Sequence, residues 1–229
     1  MAKELTIGLC TCGSRLKLAV AGHGAARQAQ KKIFNQERAL FGLVRRELKK
    51  AGGDLRSVRT VCAARGPGRF TGIRIALTLA GALKALAGVK TCTATVFEIL
   101  ALQAFELDCR AKELGRAAVI LHAFKDEYFC QFFRTGAGLK LPRAEGEPVW
   151  LKAPDAAALL AARKEPYLAI GDFEENPGVY DLPPSGVPRS ATSISRVLPA
   201  YIIKAALAYG RTTLTPLYLK PAKYELLGK

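Results

Sequence analysis

The sequence predicts an α/β protein of two like subdomains, the second degenerate. Three observations predict it. Apolar alternation marks two short strands at the start, over residues 5–10 and 15–20, and a third is expected within 25–33. A helix, a strand and a second, nearly all-apolar helix follow at residues 35–51, 58–64 and 73–87. A weaker version of the same order recurs later, with a hairpin over residues 117–122 and 128–133 and a short strand at 167–171.

Taken in order, Cys12-Gly13-Ser14 turns the first strand into the second. Asn35 can cap the first helix, whose apolar stripe is Leu40, Phe41, Val44, Leu48 and Ala51, and Gly52-Gly53 ends it. Arg38, Arg45, Arg46, Lys49 and Lys50 crowd its remaining faces. Three strands, then helix, strand, helix, is the opening of a ribonuclease H-like unit, which the actin-like ATPase fold carries twice. Helical residues 97–107 close the first copy, so the expected subdomains are residues 1–107 and residues 108–229. Residues 136–148 and 176–188 read as Pro/Gly-rich loops, and residues 194–209 as a helix interrupted early by Pro199.

At 229 residues the chain can bury a sizeable core, and half its residues are apolar. The longest apolar stretch, residues 73–89, is short for a membrane span and is broken by Arg74 and Lys84. With no secretory signal pattern, a cytoplasmic location is expected. The six cysteines lie mostly in apolar runs without a C-x-x-C pair, and only two histidines occur, so buried free thiols are expected and no metal site. The net charge of +16 favours polyanionic partners, RNA foremost.

The most informative run is Arg65-Gly-Pro-Gly-Arg-Phe-Thr-Gly-Ile-Arg74, between the fourth strand and the second helix. Gly66, Gly68 and Gly72 permit positive φ or close approach to another surface, and Pro67 stiffens the loop. Thr71 is placed to cap the helix that follows, leaving Arg69 and Arg74 beside it. The run fits neither G-x-x-x-x-G-K-[ST] nor G-x-G-x-x-G. It is built to hold a phosphate or the backbone of a partner.

This run resembles the G-P-G-S-F-T-G-L-R-I-G segment of the TsaB (YeaZ) family, the non-catalytic partners of TsaD in making threonylcarbamoyladenosine on tRNA. Arg69 stands for the usual Ser, Ile73 for Leu and Ala76 for Gly. Glu37 and Leu40 match the family's His-Ser-Glu-x-x-Leu pattern, Pro216 to Pro221 resembles its Pro-x-Tyr-Leu-Arg ending, and Gly171-Asp172 its Gly-Asp-Gly turn. Gly81 and Phe124 depart from the family's Lys and Arg, and Cys10 from the Asp that ends its first strand.

The resemblance implies a subunit without catalytic residues or cofactor that binds a TsaD-like subunit through its first two helices. Leu40, Phe41, Val44 and Leu48 on the first, with Ala76 and Ala80 on the second, are the expected partner-binding residues. A homodimer through the same face is expected in isolation, with tRNA met indirectly or through the basic surface, and no membrane.

Two rivals differ in class. A small actin-like or sugar-kinase-like phosphotransferase needs an acid where Cys10 stands, and a thiol is a poor magnesium ligand. A stand-alone basic RNA-binding protein rests on charge alone. A Cys130–His122 nucleophile pair rests only on proximity in sequence, His23 reads as a turn residue, and Asp126 and Glu127 as neighbours on opposite faces of a strand.

Overall fold

The alternating N-terminal runs pair as their apolar faces require. In the computed structural model, which describes residues 4–22, 24–136 and 138–220, they form β1 (Leu5–Cys10), β2 (Arg15–Gly22) and β3 (Ala25–Lys32), followed by α1 (Gln36–Lys50). Next come β4 (Val58–Ala64), α2 (Phe70–Ala87), β5 (Lys90–Ala94) and α3 (Val96–Leu107). The sheet order is β3-β2-β1-β4-β5, antiparallel through the first two pairings and parallel from β1 to β4 to β5. Both crossovers, through α1 and α2, run the same way along the sheet, so right-handedness puts these helices side by side on one face. Ile7, Leu9, Leu16, Leu18 and Val61 are fully buried in this unit.

Helix ends follow from local chemistry. At the end of α1, Gly52 has φ +78°, its N–H donates to the Lys49 carbonyl and that of Gly53 to Leu48, both at 3.0 Å. That pair of bonds is the Schellman arrangement, and the positive φ explains the glycine. The expected cap at Asn35 makes no side-chain bond; instead Gln36 donates from Nε2 to the Gly13 carbonyl at 2.8 Å, tying α1 to the β1–β2 turn. Thr95 and Glu98 form a reciprocal capping box at the start of α3.

The second unit repeats the pattern in reduced form. After α4 (Cys109–Leu114) come β6 (Arg116–Phe124), β7 (Glu127–Arg134), β8 (Arg143–Lys152), α5 (Ala153–Ala161) and β9 (Leu168–Gly171), in sheet order β8-β7-β6-β9. This is the order β3-β2-β1-β4 again, with β6–β9 parallel. A fifth strand survives only as one parallel bridge, Ala169 with Arg189, bonded through Pro188 and Ser190. The core here is Ala118, Ile120, Tyr128, Cys130, Leu160 and Tyr167 with their neighbours.

Several expectations are corrected. Residues 143–148, expected within the 136–148 loop, belong to edge strand β8; Pro148 is tolerated because a bulge at Gly146 (φ +80°) breaks the ladder there. Pro199 opens α6 (Pro199–Tyr209) rather than interrupting it, since its missing N–H would be unpaired in a first turn anyway. Asp126 lies in the turn before β7, not in a strand.

The division also differs from residues 1–107 and 108–229. The described residues up to Leu102 join Val197–Pro216 in one unit, while Gln103–Arg196 and the described residues from Leu217 on form the other. The physical reason is α6, whose Ile202, Ile203, Ala205 and Ala206 are buried on the first sheet. Beyond it, Thr93 donates its N–H to the Arg211 carbonyl at 2.7 Å and its hydroxyl to the Thr213 carbonyl at 2.9 Å. His23 and Pro221 lie outside the described residues.

In the second unit Asp108 caps α4, takes the Arg110 guanidinium at 2.8 Å and accepts from the Ser190 hydroxyl at 3.2 Å. The hydrogen-bonded Arg110 holds its carboxyl below the ordinary 3.8 against burial, which pushes it up, and Ser190 adds to the lowering. A lowered folded value means the stabilisation is present above about pH 4 and is lost as pH falls through the folded value. We expect Asp108→Ala to lower stability by about 2 kcal/mol at pH 7 through lost cap and ion pair, and by less near pH 3. Urea melts at both pH values check this; an equal loss at both would contradict it.

Candidate functional site

The loop between β4 and α2 closes over the β1–β2 turn. Arg69 donates its N–H to the Cys12 carbonyl at 2.7 Å, and the Thr11 hydroxyl donates to the Gly72 carbonyl at 2.6 Å. From the other side, the Gly66 carbonyl accepts from Val96 at 2.7 Å and Arg65 donates to Ala94 at 3.0 Å. The glycines are explained by this packing. A Cβ on Gly68, which has φ +153°, would come within 2.4 Å of the Cys12 carbonyl oxygen, and one on Gly72 within 2.0 Å of that of Thr11. The Gly66–Pro67 peptide is cis.

The backbone that the glycine loop approaches is therefore the chain's own. Gly66, Pro67 and Gly72 are buried, while Arg69, Thr71 and Arg74 remain exposed, with the Arg74 guanidinium 4.4 Å from the centre of the Phe70 ring. Thr71 is not the cap. Helix α2 starts at Phe70, because the Arg69 carbonyl takes the first helical bond, from Ile73, at 2.9 Å. The longer helix is, among the described residues, the one that is long and apolar enough to cross a membrane. Its inner side, with Ile73, Ala76, Leu77 and Ala80, is buried in its own unit.

The expected partner-binding residues divide sharply. Leu40, Val44 and Leu48 on α1, and Ala76 and Ala80 on α2, are buried within the first unit and form no free surface. Their apolar stripe faces the sheet, as in any amphipathic helix on a core. Phe41 is 53% exposed, and on α2 the outward side carries Thr71, Arg74, Thr78, Ala82 and Leu86. Phe34, just before α1, and Phe70, at the start of α2, are exposed too, while most other exposed residues of α1 are Arg or Lys.

At the end of β1, Cys10 is buried and sits opposite buried Lys17 of β2. Cross-strand neighbours share a face, so a thiol and a cation stand where a phosphotransferase needs a magnesium-binding carboxylate. That donor set does not fit the ion. Among the described residues one group of acids, Asp172, Glu174 and Glu175 after β9, brings carboxylate oxygens within 4.8 Å of one another. The Asp-x-Glu-Glu run is the sequence signal for it, and sequence reading passed over it.

The Cys130–His122 pairing is not assembled for catalysis. Burial pushes the Cys130 thiol up to about 12, and the His122 Nε2 lies 2.9 Å from the Lys125 carbonyl with its ring against Tyr128. Burial likewise pushes Cys62 up to about 12, with Cys92 adding to the rise. Of the six free thiols only Cys109 is exposed.

No protein-family model matches the chain, and no curated protein matches it in sequence. In structure it is similar to YeaZ from Pseudomonas aeruginosa, 24% identical over 94% of this chain and 100% of that one, with a TM-score of 0.71. A second Pseudomonas aeruginosa structure, described as similar to peptidase YEAZ, gives 24% identity, 96% and 100% coverage and a TM-score of 0.70. The inorganic polyphosphate/ATP-glucomannokinase from Arthrobacter sp. strain KM follows at 11% identity, 90% and 99% coverage and a TM-score of 0.50. The chain thus has the fold of YeaZ, two ribonuclease H-like units of the actin-like ATPase type, the second reduced.

Proposed function

We propose that this chain is a TsaB-like subunit that pairs with a TsaD-like threonylcarbamoyltransferase and supports threonylcarbamoyladenosine formation on tRNA in the cytoplasm. The observation that carries the reading is the agreement of two independent signals. The glycine run resembles the TsaB segment in sequence, and YeaZ structures cover the chain almost end to end. The exposed side of α1 and α2, where Phe41 and Leu86 stand among basic residues, is where such a partner would dock.

In this reading the subunit supplies no catalytic residue and no cofactor. Cys10 opposite Lys17 supports that part, because neither a thiol nor an ammonium is a usable magnesium ligand. The rival phosphotransferase reading fits the fold but needs a carboxylate where Cys10 stands. Purified chain incubated with ATP and tRNA is expected to hydrolyse no nucleotide and to leave the tRNA unmodified. Steady turnover by the isolated chain, abolished by a substitution in the Gly66–Gly72 loop, would replace this reading with the enzymatic one.

A further inference from the structure

Three strands of the second sheet bring arginines into one lateral row. Arg116 on β6 lies opposite Arg134 on β7, and Arg134 lies opposite Arg143 on β8. Neighbouring strands are about 4.8 Å apart, so the three side chains leave the sheet within about 10 Å of one another. Like charges directly opposite each other destabilise a sheet, so the row works against the fold.

A fourth guanidinium joins them. Arg163, just past α5, stacks 5.0 Å from the centre of the Phe132 ring, and Phe132 shares a face with Arg134 two residues on. The available carboxylates are too few. Glu145 lies 2.6 Å from Arg163 but as far as 3.8 and 3.9 Å from Arg116 and Arg134, and Glu165 is paired with Arg163 at 3.0 Å. Among the described residues, buried Arg116 Nε has no hydrogen-bond acceptor. Arg143 is exposed and has no ion-pair partner among the described residues.

We propose that Arg116, Arg134, Arg143 and Arg163 form a contact surface for the phosphate backbone of RNA. Every member is arginine, whose planar fork binds phosphate oxygens in pairs and holds its charge at any working pH. Phosphates between the guanidinium groups would relieve the repulsion that two carboxylates leave. The chain's +16 supplies the long-range attraction that brings a polyanion to the row. The phosphate chemistry rests on this geometry, and the choice of RNA over DNA rests on the function proposed above.

The test is fluorescence anisotropy of labelled unfractionated tRNA with the full chain over a salt series. The combined variant Arg134→Gln, Arg143→Gln should bind about tenfold or more weakly and lower the slope of log affinity against log salt by about 2. It should melt no lower than the parent, because opposed like charges are removed. If it melts lower, Arg143→Gln alone, at an exposed position, is read instead and should lower the slope by about 1. Arg45→Gln with Lys49→Gln removes the same charge from α1 and should leave affinity near that of the parent.

Three results would overturn the proposal: no tRNA binding by the parent at low salt, equal losses for both double variants, or equally tight binding to duplex DNA or phosphatidylserine vesicles with the same sensitivity to the arginine changes. The row lies on neither α1 nor α2. Partner binding by the arginine variant, measured separately, therefore keeps failure here distinct from failure of the partner reading.

Discussion

Gly72→Ala is expected to lower stability by about 3 kcal/mol, a drop of roughly 10 °C in Tm for a chain of this size. The added methyl would sit 2.0 Å from the Thr11 carbonyl oxygen, and both atoms belong to backbone that has no freedom to retreat. One side is the first turn of α2; the other is the β1–β2 turn that Thr11, Arg69 and Gln36 hold in place. Gly68→Val should do the same, adding strain at φ +153° to a 2.4 Å clash with Cys12. A loop that held the backbone of a partner, as its sequence allows, would lose partner binding more than stability on this change. The structure moves the effect into the fold, because the surface these glycines touch belongs to the same chain. Urea or thermal melts decide it. A Gly72→Ala protein that melts with the parent yet fails to bind a partner would restore the earlier view.

Phe41→Glu should have the opposite profile. The residue is 53% exposed on α1, so the variant is expected to fold and melt close to the parent. A carboxylate carried into an apolar interface without a partner costs several kcal/mol, enough to weaken a complex more than about 100-fold. Leu40→Glu, one residue away but 3% exposed, should unfold the first unit instead. Circular dichroism and a binding titration separate the two outcomes. Unchanged binding by Phe41→Glu would place the interface elsewhere.

Much of the fold was legible because its signals are local. β1 and β2 alternate cleanly, and Gly52-Gly53 stops α1 by a mechanism that needs no tertiary partner. What was missed depends on partners distant in sequence. β8 has a glycine and a proline at its bulge and is a strand only because β7 pairs with it. α6 belongs with the first unit because its Ile202 and Ile203 find that sheet, which no neighbouring residue announces.

The candidate site was harder to read for a definite reason. Leu40, Val44, Leu48, Ala76 and Ala80 were chosen by apolarity, and on an amphipathic helix apolarity marks the side already buried. Phe41 stands apart because it is an aromatic residue on the polar side. The arginine row was invisible in the sequence, since Arg116, Arg134 and Arg143 become neighbours only through strand register.

The central claim is that this chain works as the partner of a TsaD-like subunit. The most direct measurement is equilibrium sedimentation of the purified chain mixed with the TsaD-like subunit of its native host. The account predicts a stoichiometric heterodimer that Phe41→Glu abolishes and Leu86→Glu weakens, both variants remaining folded. Two species that sediment independently at micromolar concentrations, with parent and variants indistinguishable, would contradict it.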